Sequence, residues 1–82
     1  MVTLYRIRLN LEPNPDGVFT VTSPDVPGLV TEGATAAEIQ ANVQEAIESL
    51  FEAWTTLGKP IPLALQPIAI DKPQTIETLV AA

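Results

Sequence analysis

The sequence predicts an α+β domain of two layers, in the order β-β-β-α-β, with one long helix packed on an antiparallel sheet. Three observations carry that reading. Residues alternate between two faces from Val2 to Glu12, Gly and Pro clusters then divide the chain into short β-branched runs, and an apolar stripe at helical spacing extends from Thr35 to Leu57. With 82 residues, against the ~150 of an ordinary domain, the chain is expected to form one domain over residues 1–82. Its core lies within about residues 1–65, and residues 66–82 form an extended C-terminal segment.

In the first strand Tyr5, Ile7, Leu9 and Leu11 fall on one face, and Arg6, Arg8, Asn10 and Glu12 on the other. Pro13-Asn14-Pro15-Asp16-Gly17 ends it, combining two fixed proline φ angles with an Asp-Gly turn. Val18 to Thr22 supplies the second strand, with Phe19 and Val21 on one side, so the two runs read as a hairpin. Ser23-Pro24-Asp25-Val26-Pro27-Gly28 is a second interruption. Prolines there cannot donate to a ladder, so the segment is a loop or a sheet edge. Leu29 to Glu32 follows as a short third strand, ended by Gly33.

The helix is the clearest element. Thr35 and Glu38 have the spacing of a capping box. Ile39, Val43, Ile47, Leu50, Trp54 and Leu57 recur at steps of three and four, which places them in one stripe facing Tyr5, Ile7, Leu9, Phe19 and Val21. Gly58 is the expected left-handed stop, and Pro60 prevents continuation. Beyond it, residues 66–70 and 75–80 are each candidates for a last strand. After a crossover helix such a strand is expected to lie parallel to an earlier one.

Composition narrows the function. The chain has 10 acidic and 4 basic residues, a net charge of -6, no histidine and no cysteine. No disulfide framework, zinc site of the usual N/S type or His-activated nucleophile can be built from it. An acidic balance opposes nucleic-acid binding, which needs clustered Lys and Arg. No apolar run reaches the ~18 residues of a membrane span, and residues 1–22 lack the regions of a signal peptide, so a cytosolic protein is expected. A ribonuclease-type two-metal site needs carboxylates from the middle of core strands, and the first strand has none there. No catalytic, metal or cofactor residue is therefore assigned. A domain this small gains from burying area against a partner, so a dimer or larger homo-oligomer is expected.

The segment from Asp16-Gly17 through a strand to Ser23-Pro24-Asp25-Val26-Pro27-Gly28-Leu29-Val30-Thr31-Glu32-Gly33-Ala34-Thr35 resembles the HicB antitoxin family. Members have a D-G turn, a strand, a P-D-[LV]-P-G segment, a short strand ending in G-x-T, and an amphipathic helix. Glu45-Ala46-Ile47-Glu48 fits that helix, and Gly58-Lys59-Pro60-Ile61-Pro62 resembles the family's G-x-x-[IL]-P exit. The structural motif positions are Asp16, Gly17, Pro24, Asp25, Pro27, Gly28, Gly33 and Thr35. The resemblance implies a partial ribonuclease-H-like fold without nuclease activity. It also implies a type II antitoxin that neutralises a small basic HicA-type toxin, an mRNA-cleaving enzyme. Many members add a C-terminal DNA-binding domain. Here the residues after Pro62 contain one lysine, Lys72, and no helix-turn-helix pattern, so direct operator binding is not expected.

Several side chains have two readings. Glu38, Glu45, Glu48 and Glu52 make either a solvated outer helix face or an electronegative surface that steers a basic partner. Arg6 and Arg8 lie side by side on the outer sheet face, for phosphate contact, for pairing with Glu32 or with Glu12 of a second subunit, or for solvation. Asp25, between two prolines, can accept a local backbone N–H. Trp54 is a core residue packed on Leu50 and Leu57, or a half-exposed interface anchor, and Phe51 beside it widens the apolar face. The expected partner surface is Glu45, Glu48, Phe51, Glu52 and Trp54. The leading reading is a non-enzymatic antitoxin that occludes its toxin; the alternative is a solitary interaction module of the same fold.

Overall fold

A strand that is half-covered by a helix must send every second side chain inward, and the N-terminal segment does so. In the computed structural model, which describes residues 3–62, 65, 67–68 and 71–81, Tyr5, Ile7 and Leu9 are half-buried while Leu4, Arg6, Arg8 and Asn10 face solvent. Val2, at the start of the expected strand, lies outside the described residues. Regular pairing is shorter than the alternation. The three strands are β1 (Asn10–Pro13), β2 (Phe19–Thr22) and β3 (Val30–Gly33), in sheet order β1-β2-β3 with both pairs antiparallel. The register sets Asn10 opposite Thr22, so Arg8 falls opposite Pro24, which has no N–H to give. There the ladder stops.

The β1–β2 hairpin closes through a three-residue loop. Asn14 N–H donates to the Val18 carbonyl at 3.1 Å, Gly17 N–H donates to the Asn14 carbonyl at 3.0 Å, and the Asp16 carboxylate accepts Val18 N–H at 3.0 Å. Gly17 has φ +83°, the left-handed position that such loops reserve for glycine. Asp16 and Gly17 are thus the turn residues that the sequence indicates.

Helix α1 (Ala36–Thr56) is about 31 Å long and covers one face of the sheet. Thr35 is its N-cap, accepting Glu38 N–H at 3.1 Å, and the Glu38 carboxylate reaches back to Ala34 N–H at 2.9 Å, one residue before the usual capping-box target. At the other end Lys59 N–H donates to the Trp54 carbonyl at 2.8 Å and Gly58 N–H to Thr55 at 3.1 Å, with Gly58 at φ +68°. These two bonds form a Schellman motif that satisfies the final carbonyls.

Among the described residues, Val21, Val26, Leu29, Ile39, Val43 and Leu65 form the buried core, with Tyr5, Ile7, Leu9, Phe19, Ala46, Ile47, Leu50, Phe51, Trp54 and Leu79 packed around it. Two expectations change here. Leu57 is 66% exposed, because the helix outruns the sheet and the C-cap turns the chain away. Val26 and Leu29, from the proline loop and its exit, are in the core.

The C-terminal β contribution is an isolated bridge between Tyr5 and Pro67, with Ile68 N–H donating to the Leu4 carbonyl at 2.8 Å. It is antiparallel, not parallel as expected. Leu65 N–H donates to the Pro62 carbonyl at 2.9 Å. Pro67 cannot donate to a longer ladder. Gln66, Ala69 and Ile70 of the expected 66–70 strand lie outside the described residues. Residues 75–80 form no strand; they are held by side chains instead, as described below.

The approach of α1 to β3 is closest at Gly33. A Cβ there would come within 2.8 Å of Ile39 Cγ1 and 2.9 Å of the Ile39 backbone nitrogen. Gly33→Ala is therefore expected to cost about 1–3 kcal/mol as overpacking against backbone that cannot yield, read as a lower urea midpoint. Gly17→Ala has open space around it and carries only the left-handed backbone penalty, about 1–2 kcal/mol. A neutral Gly33→Ala would show that the helix start can shift freely.

Candidate functional site

Asp25 is buried, yet it is a carboxylate in a loop between two prolines. Its position is explained by what it accepts. Arg8 N–H donates to Oδ2 at 2.7 Å, Arg8 Nε to the same oxygen at 3.2 Å, and Arg8 Nη2 to Oδ1 at 2.7 Å. Asp25 N–H in turn donates to the Ser23 hydroxyl at 3.1 Å. The carboxylate takes the Arg8 backbone N–H where regular β1–β2 pairing has ended, so the bond is long-range across 17 residues, not the local one expected. Arg8 pairs with Asp25 and not with Glu32 of its own chain. Hydrogen bonds from the Arg8 side chain, then from its backbone, hold the Asp25 carboxyl below its ordinary pKa, and the same contact pushes the Arg8 guanidinium up.

The pair is asymmetric. The Asp25 side chain is 10% exposed and that of Arg8 76%, so the carboxylate carries the burial and the guanidinium stays largely in water. Together they pin the Pro24-Asp25-Val26-Pro27-Gly28 loop to the first strand and turn Val26 inward. Gly28 then reverses the chain at φ +86° under Leu50, whose Cδ2 would sit 3.5 Å from a Cβ at that position. These motif residues build the scaffold on which β3 and the start of α1 rest.

Arg6 is also engaged, but by the C-terminal segment. Its Nη2 donates to the Thr75 carbonyl at 2.6 Å and to Gln74 Oε1 at 3.3 Å. Gln40 Nε2, from α1, donates to the Thr78 hydroxyl and the Leu79 carbonyl, both at 3.1 Å. Leu79 packs against the core. Residues 74–79 thus cross from the first strand to the helix as a strap fastened at both ends. Nothing in the sequence marks Gln40 for this, because a glutamine on a helix is ordinarily solvated.

Glu38, Glu45, Glu48 and Glu52 are all exposed, on the side of α1 opposite Ile39, Val43, Leu50 and Trp54. No Lys or Arg occurs in α1 or β3. Gln44 Nε2 donates to Glu48 Oε1 at 2.9 Å, which orients one carboxylate without neutralising it. Between this face and β3 lies a shallow cleft lined by Thr31, Asn42, Glu45, Ala46 and Ser49. Phe51 and Trp54 sit elsewhere, half-buried on the core flank. Phe51 meets Tyr5 edge-on with centroids 5.4 Å apart, and Trp54 lies 5.5 Å from Phe51. The aromatic row spends much of its apolar area inside the monomer, so the expected partner residues divide into an acidic outer face and an inward aromatic seam. Among the described residues, no group of three or more acidic side chains converges to hold a metal ion, and no helix is long and apolar enough to cross a membrane.

Among the described residues the arrangement is that of a small acidic domain with one helix on a three-stranded sheet and structural use of its loop carboxylate. A family described as the HicB-like antitoxin of bacterial toxin–antitoxin systems matches residues 5–80. The chain is also similar to UPF0150 protein Ta0767 of Thermoplasma acidophilum, with 36% identity over 47 residues, which are 57% of this chain and 68% of that relative. The chain belongs to the HicB-like antitoxin family.

Two outcomes test this geometry. A carboxyl whose pKa is lowered by folding contributes its full stability above the ordinary carboxylate value, ~3.9, and loses it as pH falls through the folded value. The stability gap between wild type and Asp25→Asn should therefore be widest near neutrality and close below about pH 4, as followed by urea unfolding across pH. Arg8→Ala should be milder than Asp25→Ala, because the Arg8 backbone N–H still reaches the carboxylate. For the aromatic seam, Trp54→Ala should lower stability by about 2 kcal/mol, below the 3–5 of a fully buried ring. Loss of assembly with unchanged stability would instead place Trp54 in an interface.

Proposed function

We propose that this antitoxin acts by occlusion, binding a small basic HicA-type mRNA-cleaving toxin and covering the surface with which the toxin engages RNA. Family membership supplies the antitoxin role. The observation that carries the proposed mechanism is the exposed face of α1, where Glu45, Glu48 and Glu52 stand together with no positive charge on the same helix. An enzyme that binds RNA presents positive charge, and this face offers the complementary field. Such complementarity speeds encounter and selects partners, with apolar contact supplying the remaining affinity. The role asks for no chemistry from this chain.

The shape favours association. The radius of gyration is 13.8 Å and one dimension is only 20 Å, where a compact chain of this length measures about 12 Å in radius. Val30, Leu57, Ile61, Ile76 and Val80 remain exposed. We extend the proposal to a dimer or larger assembly of the free protein, with no nucleic-acid partner. Light scattering at tens of micromolar should give a mass above the 8.8 kDa of one chain, and a value at 8.8 kDa would refute the assembly.

The direct test uses a HicA-type toxin. Glu45→Lys, Glu48→Lys and Glu52→Lys combined should weaken the complex at least tenfold at low salt and flatten its salt dependence, with the melting temperature little changed because all three side chains are solvated. Unaltered affinity would remove the acidic face from the mechanism.

A further inference from the structure

We infer that β3 is the docking edge, and that an extended, basic segment of the toxin adds to it as a fourth strand. The inference rests on the toxin-binding proposal and specifies where and how the partner binds. Within the described residues the order β1-β2-β3 leaves β3 with one unpaired side. At the other edge β1 ends in Pro13, which has no N–H to offer, and the Tyr5–Pro67 bridge and Ile68–Leu4 bond lie ahead of β1. An unpaired strand is a template for a further one, and proteins usually blunt it with Pro, Lys, a bulge or a covering element. The β3 sequence, Val-Thr-Glu-Gly, contains neither Pro nor Lys, and Val30 is 69% exposed on it.

The chemistry around that edge selects the occupant. Asn42 Nδ2, from α1, donates to the Glu32 carbonyl at 2.7 Å. A side-chain amide thus fills an acceptor that an incoming backbone N–H can take over. Exposed Glu32 and Glu45 border the edge on its two sides, and Thr31, Asn42, Ala46 and Ser49 line the cleft between them. Ala46 and Ser49 are short, which leaves room beside β3 for the side chains of an added strand. Those side chains alternate between the two faces, so Lys or Arg two residues apart would meet Glu32 and every other residue would enter the cleft. A second copy docked through its own β3 would bring its own acidic rims to the same place, with no Lys or Arg on β3 or α1 to offset them. A basic strand fits where that β3–β3 pairing does not.

Hydrogen exchange on the full chain, free and in complex with a HicA-type toxin, tests this. The amides of Val30 and Glu32, which face the open side of β3, should slow at least tenfold on complex formation, and Glu32→Lys should weaken binding by a similar factor without lowering the melting temperature. A complex that leaves these amides unchanged overturns the docking edge while leaving toxin binding intact. Absence of any complex overturns both proposals. Protection of Val30–Gly33 in the free chain, rising with its concentration, would assign the edge to a second copy and overturn the inference.

Discussion

The bond between the Asp25 carboxylate and Arg8 holds the two halves of this small domain in register. It gives the Arg8 backbone N–H a side-chain acceptor beyond the point where regular β1–β2 pairing ends. The same contact turns the loop so that Val26 and Leu29 enter the core, which delivers β3 to its place beside β2. Without it the first strand would have a buried edge with an unmet donor, and the loop would have no reason to fold inward. A carboxylate that looks like a candidate for chemistry is occupied in building the scaffold.

Among the described residues one helix covers the sheet, and this sets the division of labour along α1. Its inner face carries Ile39 and Val43 into the core, and Gly33 lets the first turn approach β3 closely. One flank continues through Phe51 to Tyr5. The opposite face has nothing to cover, so its four glutamates concentrate charge where a partner can meet it. The unfavourable placement of Glu52 near the C-terminal end of the helix is consistent with a charge kept for recognition more than for helix stability.

The strap formed by residues 74–79 supplies what a short chain lacks in core. Arg6 and Gln40 fasten it through backbone carbonyls, and Leu79 adds apolar area over the core.

Much of this was determined by local chemistry that a sequence displays. Alternation between Tyr5 and Leu9, the Asp16-Gly17 turn, the Thr35–Glu38 cap and the Gly58 stop depend on residues within a few positions of one another. The inward stripe from Ile39 to Trp54 follows from helical spacing, and the acidic outer face is its complement. Tertiary structure alone decided the rest: that Asp25 answers Arg8, that Arg6 and Gln40 hold the C-terminal strap, that Leu57 overshoots the sheet, and that the last bridge runs antiparallel. Each of these depends on where a turn points the chain in space. Pairings across 17, 38 or 69 residues leave no periodic trace, because long-range geometry is set by the sum of all the turns between.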